Sequence, residues 1–238
     1  MNIVGINAYH GDVSAVLIRD GQLVAAVEEE RFRRIKHYAG FPEQALRVCL
    51  ELGGVEPREV DLFAVSRDPR AHLLRKALFV LRRRPKGTIG ARARNLASVR
   101  GVPTRIADAL GLERGATRAR TRFVEHHPSH LASAALVSPF DTGAVCAIDG
   151  FGDFVSTSWG RLDGSRITVD GRVFFPHSLG LLYLAVTQFL GFPKYGDEFK
   201  VMGLAPYGEP SYVRKLESLV RLQDGGHFEL DLSYFRHV

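Results

Sequence analysis

One strand–loop–strand pattern occurs twice in this chain, and it limits the available folds more than any other feature. In the first copy an apolar strand ends at Gly5-Ile6-Asn7, a short polar loop closes at Asp12, and a second strand follows. In the second copy a strand ends at Ala147-Ile148-Asp149, the loop "GFGD" closes at Asp153, and a strand follows again. Each copy then turns at an Asp-Gly pair, Asp20-Gly21 or Asp163-Gly164, into a third strand. Such pairs favour tight hairpins because both positions tolerate positive φ. Behind the first three strands the pattern predicts a helix from about Pro42 to Leu52, opened by proline and stopped by Gly53-Gly54, then the strand "VDLFAVS". A basic helical region, the strand "TRFVEH" and the helix "PSHLASAALV" complete a βββαβαβα order. The second copy supplies "GAVCAID", "FVSTSWGRL" and "RITVDGRVFF" as strands and "SLGLLYLAVTQFLG" as a helix.

Internal repeats decide fold class ahead of finer detail, and this one predicts an α/β protein built from a duplicated unit with a cleft between the halves. A duplicated βββαβα unit resembles the actin-like ATPase (ribonuclease H-like) fold shared by sugar kinases and actin. In that fold the two loops hold nucleotide phosphates. Glycine lets backbone N–H groups approach phosphate oxygens, and an acidic residue holds a cation or orients water. The expected division is a first subdomain over 1–140, with a basic helical insertion at about 67–100, and the start of a second over 141–238. Only about 47 residues follow Gly191, fewer than the first copy needs after its three strands. The second unit is therefore expected to be incomplete, and the chain to be a fragment, a truncated product or half of a split protein.

At 238 residues, 45% hydrophobic and 24% charged, the chain has the composition of a globular protein with a sizeable core. Its longest apolar runs, such as "SLGLLYLAV", are too short to span a bilayer. "MNIVGINAYH" lacks the basic and apolar regions of a secretory signal, so a cytoplasmic location is expected. Cys49 and Cys146 form no zinc or redox motif and are expected as two buried thiols. The net charge of +6 is uneven: 11 Lys/Arg and one acid between Arg67 and Arg100 give that stretch +10, leaving −4 elsewhere. An anionic surface would suit it. Phe79 is its only aromatic residue, which argues against stacking on single-stranded nucleic acid.

Three histidines crowd into "HHPSH", His126 to His130. His126 and His130 are spaced i, i+4, which on a helix places both rings on one face. Pro128 belongs in a first helical turn, which puts His126 at or just before the cap and leaves His127 pointing elsewhere. The pair by itself is either a metal pair completed by a carboxylate or a satisfied structural pair. Asp149, at the end of the strand opening the second copy, is the candidate carboxylate.

The resemblance becomes specific over longer stretches. "GINAYHGDVSAVLIRDGQLVAAVEEERFRRIKH", "VEHHPSHLASA", "AIDGFGD" and "SLGLLYLAVTQFLGFPKYGDEFKVMGLAPYG" resemble the O-carbamoyltransferase family of nodulation and antibiotic-tailoring enzymes. The similarity covers nearly the whole chain and is loosest over 67–100. It implies transfer of a carbamoyl group, from a carbamoyl-adenylate made from carbamoyl phosphate and ATP, to the hydroxyl of a small-molecule or sugar acceptor. It implies a divalent metal, iron or alternatively zinc, on His126, His130 and Asp149. It places His10 and Asp12 near the carbamoyl group, with Gly11 inserted relative to the family's usual H-D-x-S-A. His10 is the candidate general base, since its pKa lies near working pH. Lys36, the loop residues Gly150, Gly152 and Asp153, and the Glu198–Lys200 acid–base pair are implied on the nucleotide side. Family members are more than twice this length, so a companion chain supplying the remainder is a possible partner and the isolated chain is expected to be a poor catalyst. An ATPase or phosphotransferase of the same fold, or a non-catalytic binding module or remnant, is the alternative. Nucleic acid is not the expected partner.

Overall fold

The computed structural model describes residues 1–83 and 89–235. Along the chain run β1 (Asn2–Asn7), β2 (Ser14–Arg19), β3 (Gln22–Glu28), α1 (Glu30–Arg33), α2 (Glu43–Gly53), β4 (Leu62–Val65), α3 (Leu73–Arg83) and α4 (Ile89–Arg100). Then come α5 (Val102–Leu110), α6 (Arg114–Ala119), β5 (Thr121–Phe123), α7 (His126–Ala135), β6 (Thr142–Gly152), β7 (Val155–Asp163) and β8 (Arg166–Phe174). The chain continues through α8 (Leu179–Phe189), α9 (Glu198–Leu204), α10 (Val213–Leu216), β9 (Val220–Leu222) and β10 (Phe228–Leu230). The expected basic helical segment is two helices, α3 and α4; residues 84–88 of it lie outside the described residues. Helices α5 and α6 were not foreseen in the sequence.

The chain divides into two compact units, one of residues 1–71 and 86–125, the other of 72–85 and 126–238. The first carries a five-stranded sheet in the order β3-β2-β1-β4-β5. Strands β1 to β3 form an antiparallel meander, and β4 and β5 add parallel to β1. Only β2 runs against the rest, which is the ribonuclease H-like arrangement. The meander closes on tight turns as the sequence predicts: Asp20 and Gly21 both have positive φ, at 50° and 83°. Parallel pairing needs crossovers, supplied here by α2 and by α3 to α6. Helix α2 turns Ala45, Leu46, Cys49 and Leu50 into a core with Val4, Ile6, Leu17 and Phe63.

Glu29 secures that crossover. It is fully buried at the end of the meander. One carboxylate oxygen accepts the Gln44 and Ala45 backbone N–H groups at 2.9 Å, and the other accepts Arg33 Nε at 2.8 Å. A carboxylate 15 residues away in sequence thus satisfies the first turn of α2, where exposed donors and the helix dipole favour negative charge.

The second unit opens on the same meander, β6-β7-β8, antiparallel throughout, with β9 and β10 as a separate pair. Among its described residues β6 has no parallel neighbour. One consequence corrects an expectation: Cys49 is buried, but Cys146 is exposed, because β6 is an edge strand. The "GFGD" stretch is also not an open loop. Strand β6 runs through it with a register shift between Ile148 and Gly152, and the chain reverses at Asp153-Phe154, both at positive φ.

Replacing Glu29 with alanine leaves three donors unmatched, the Ala45 N–H among them buried. It is expected to destabilise the protein by about 3 kcal/mol, measured as a lowered denaturant midpoint at unchanged slope.

Candidate metal centre

Helix α7 starts at His126, with Pro128 in the first turn as its fixed φ favours. The His126 backbone N–H donates to Asp153 Oδ2 at 2.9 Å. The turn between β6 and β7 therefore caps the helix that carries the histidines. His127, fully buried, lies with Nε2 3.0 Å from the Val155 carbonyl and Nδ1 3.1 Å from Ser158 Oγ. A carbonyl only accepts, so Nε2 carries the proton and Nδ1 receives the serine hydroxyl. This ring pins α7 to β7.

His126 and His130, one helical turn apart, face the same point. Their Nε2 atoms are 2.9 Å apart, and Asp149 Oδ2 lies 2.8 Å from the first and 3.6 Å from the second. Asp149 Oδ1 accepts its neighbour Gly150 N–H, leaving Oδ2 for the histidines. Ser178, at the cap of α8, directs its hydroxyl to the Asp149 and Gly150 carbonyls and accepts the Leu181 N–H. Gly152 is required by space: a Cβ there would fall 2.0 Å from the His126 ring.

The donor set fits a divalent metal. Two imidazoles and a carboxylate within 4.8 Å of one another are the only such cluster among the described residues. An ion about 2.1 Å from each donor requires donors about 3.0–3.4 Å apart, close to the triangle observed. His126 is buried, whereas the His130 side chain is 48% exposed, so the cluster opens to solvent on one side. Burial by itself would raise the Asp149 carboxyl, but the hydrogen bonds from His126 and His130 outweigh it and hold Asp149 ionised well below the usual carboxylate range. His127 is pushed down to about 4, first by burial and then by the His126 and His130 charges, against an opposing pull from Asp149. It is neutral at physiological pH, as its hydrogen bonds require.

The other predicted residues are distributed as follows. Gly150, Gly152 and Asp153 adjoin the cluster, and Asp153 is engaged as the helix cap. Glu198 and Lys200 do not pair: Lys200 Nζ reaches Asp197 Oδ1 at 2.6 Å. Residues two apart on a helix diverge, whereas three apart they share a face. His10 and Asp12 sit in the β1–β2 loop of the first unit, where Asp12 has φ 60° and its carboxylate lies 2.9 Å from His37 Nδ1. Lys36 is exposed beside His37 in the same unit. Sequence reasoning missed the structural work of His127, Ser178 and Glu29. A histidine adjoining a ligand pair is a weak signal of anchoring, and the other two gave none.

A family model described as the carbamoyltransferase N-terminus matches residues 2–238. An uncharacterised protein, sll1178 of Synechocystis sp., is 41% identical over 245 residues, covering 100% of this chain and 40% of that protein. The nodulation protein NolNO of Sinorhizobium fredii is 38% identical over 231 residues, covering 95% of this chain and 32% of its own length. The chain thus spans well under half the length of these relatives. Among solved structures, YeaZ from Pseudomonas aeruginosa aligns with TM-score 0.39 and 17% identity over 74% of this chain and 67% of its own.

Two outcomes are expected. Gly152→Ala forces the His126 ring aside and destabilises the protein by about 1–3 kcal/mol, read by chemical denaturation. In metal-free protein, stability falls as pH drops from 6.5 toward 4, because the unfolded chain protonates His127 and the folded one resists it. His127→Gln flattens that part of a stability–pH profile.

Proposed function

Since the chain belongs to the carbamoyltransferase N-terminus family, we propose that it serves carbamoyl transfer to a hydroxyl group and that His126, His130 and Asp149 hold a divalent metal for that reaction. Iron(II) is the first choice and zinc the second, since imidazole and carboxylate suit both. The observation that carries this is the convergence of two Nε2 atoms and one carboxylate oxygen within 2.8–3.6 Å. When bound, the metal supplies Lewis acidity at the carbamoyl carbonyl or an adjoining phosphate.

The chain's own residues have separate tasks in this reading. Asp149 stays ionised and directs Oδ2 at the site, and His126 and His130 direct their Nε2 atoms at the same point. Asp153 and His127 keep those rings in place. The donor is carbamoyl-adenylate, formed from carbamoyl phosphate and ATP. Lys36 of the first unit offers positive charge to a phosphate, and in the second unit Glu198, Lys200, Gly150 and Gly152 belong to the nucleotide side. His10 accepts the proton of the attacking hydroxyl as the carbamoyl carbon–oxygen bond to the phosphate breaks and AMP leaves, and Asp12 is the second candidate of that loop. The acceptor is a small molecule or sugar. Polypeptide beyond these residues, on the same chain or a companion, completes the enzyme, as the greater length of the relatives supports.

The test is metal content. Purified chain loaded anaerobically with Fe(II), or with Zn(II), and then desalted is expected to retain one ion per chain. His126→Ala, His130→Ala and Asp149→Ala are each expected to weaken binding by more than about 100-fold, beyond the loss usual for an outer-sphere partner. Retention of no ion, or retention unchanged in all three variants, sinks the assignment.

A further inference from the structure

Helix α3 is amphipathic with its apolar side turned outward. Phe79 holds it to the second unit, edge-on to Phe154 at 5.6 Å and to Phe175 at 5.2 Å. Arg75 lies 4.0 Å over the Phe174 ring. On the side away from Phe79, Leu74, Leu78 and Leu81 follow at i, i+4 and i+7, so they form one row. Leu74 is 74% exposed and Leu81 70%, and Leu73 and Val80 beside them are exposed as well. A helix normally buries such a row; one left in solvent marks a docking surface.

The charge around the row selects the partner. Arg82 flanks it, exposed, and the helical stretch Leu73–Arg83 carries four Lys/Arg and no acid. A second copy of the chain would bring two such stretches together, and like charge opposes that. Nucleic acid would satisfy the arginines but leave leucines, with no aromatic ring among them, facing phosphate and sugar. An anionic phospholipid surface satisfies both: leucines enter the boundary between headgroup and acyl chain, and arginines meet the phosphates. At 11 residues the helix is too short to cross a bilayer, and no helix among the described residues is long and apolar enough to do so.

We propose that α3 is a peripheral membrane-docking helix that lays Leu74, Leu78 and Leu81 on anionic phospholipid. This does not rest on the carbamoyl-transfer assignment. Co-sedimentation of the purified chain with vesicles tests it. Binding is expected to vesicles of phosphatidylcholine mixed with phosphatidylglycerol, and to weaken on adding salt or on omitting the anionic lipid. Leu74→Asp combined with Leu81→Asp is expected to weaken it by at least about tenfold, and Arg82→Glu by at least about fivefold. All three side chains are exposed, so circular dichroism and the melting temperature are expected to match the parent. No binding to the anionic vesicles, equal binding to neutral ones, or binding indifferent to these variants overturns the proposal. So does a concentration-dependent dimer, or tight RNA binding, that the leucine variant abolishes.

Discussion

Two imidazoles and a carboxylate converge on one point only where the surrounding structure fixes each of them. In this protein the hold comes from the hairpin of β6 and β7. Asp153 in its turn caps the helix that carries the histidines. Val155 and Ser158 on β7 grip His127, and Gly152 on β6 leaves the space that the His126 ring occupies. Asp149 lies on the same strand and is steadied from behind by Ser178. Every residue of the cluster is therefore referred to one rigid two-stranded frame, and a shift of that frame would move all three donors.

The duplicated pattern is used differently in its two copies. Asn7 and Asp149 occupy corresponding places in the repeat, Asn7 at the end of β1 and Asp149 within β6. Asn7 directs its side-chain amide to the Asp12 carbonyl, 3.0 Å away, and organises its own loop. Asp149 sends its carboxylate outward to the histidines. Their neighbours diverge as well: Ile6 is 2% exposed in the middle of a five-stranded sheet, while Ile148 is 59% exposed on an edge strand. Corresponding positions of the repeat have become core in one unit and surface in the other, because among the described residues β1 is paired on both sides, by β2 and β4, whereas β6 pairs only with β7.

Much of this was legible. The strand–loop–strand repeat and the Asp-Gly turns announced both meanders, since hydrophobic alternation and positive-φ residues act locally. The i, i+4 histidines and Asp149 were legible as a candidate set for the same reason. Less visible were the bulged course of β6 through "GFGD", the exposure of Cys146 and the Asp197–Lys200 pair. Each depends on what lies beside a strand or on which face a helix turns, and neither is written in local spacing. Glu29 stood in an unremarkable acidic run; its burial beneath α2 follows only from the crossover.

The sequence by itself determined the kind of protein: two α/β meanders, two histidines a helical turn apart, a carboxylate in the second opening strand, and a concentrated block of positive charge. Only the tertiary structure decided that His126 and Asp149, 23 residues apart, come within 2.8 Å, that His127 anchors, and that the leucines of α3 face outward. Spacing sets the direction of side chains along one element, whereas the meeting of two elements depends on long-range packing, which local sequence does not encode.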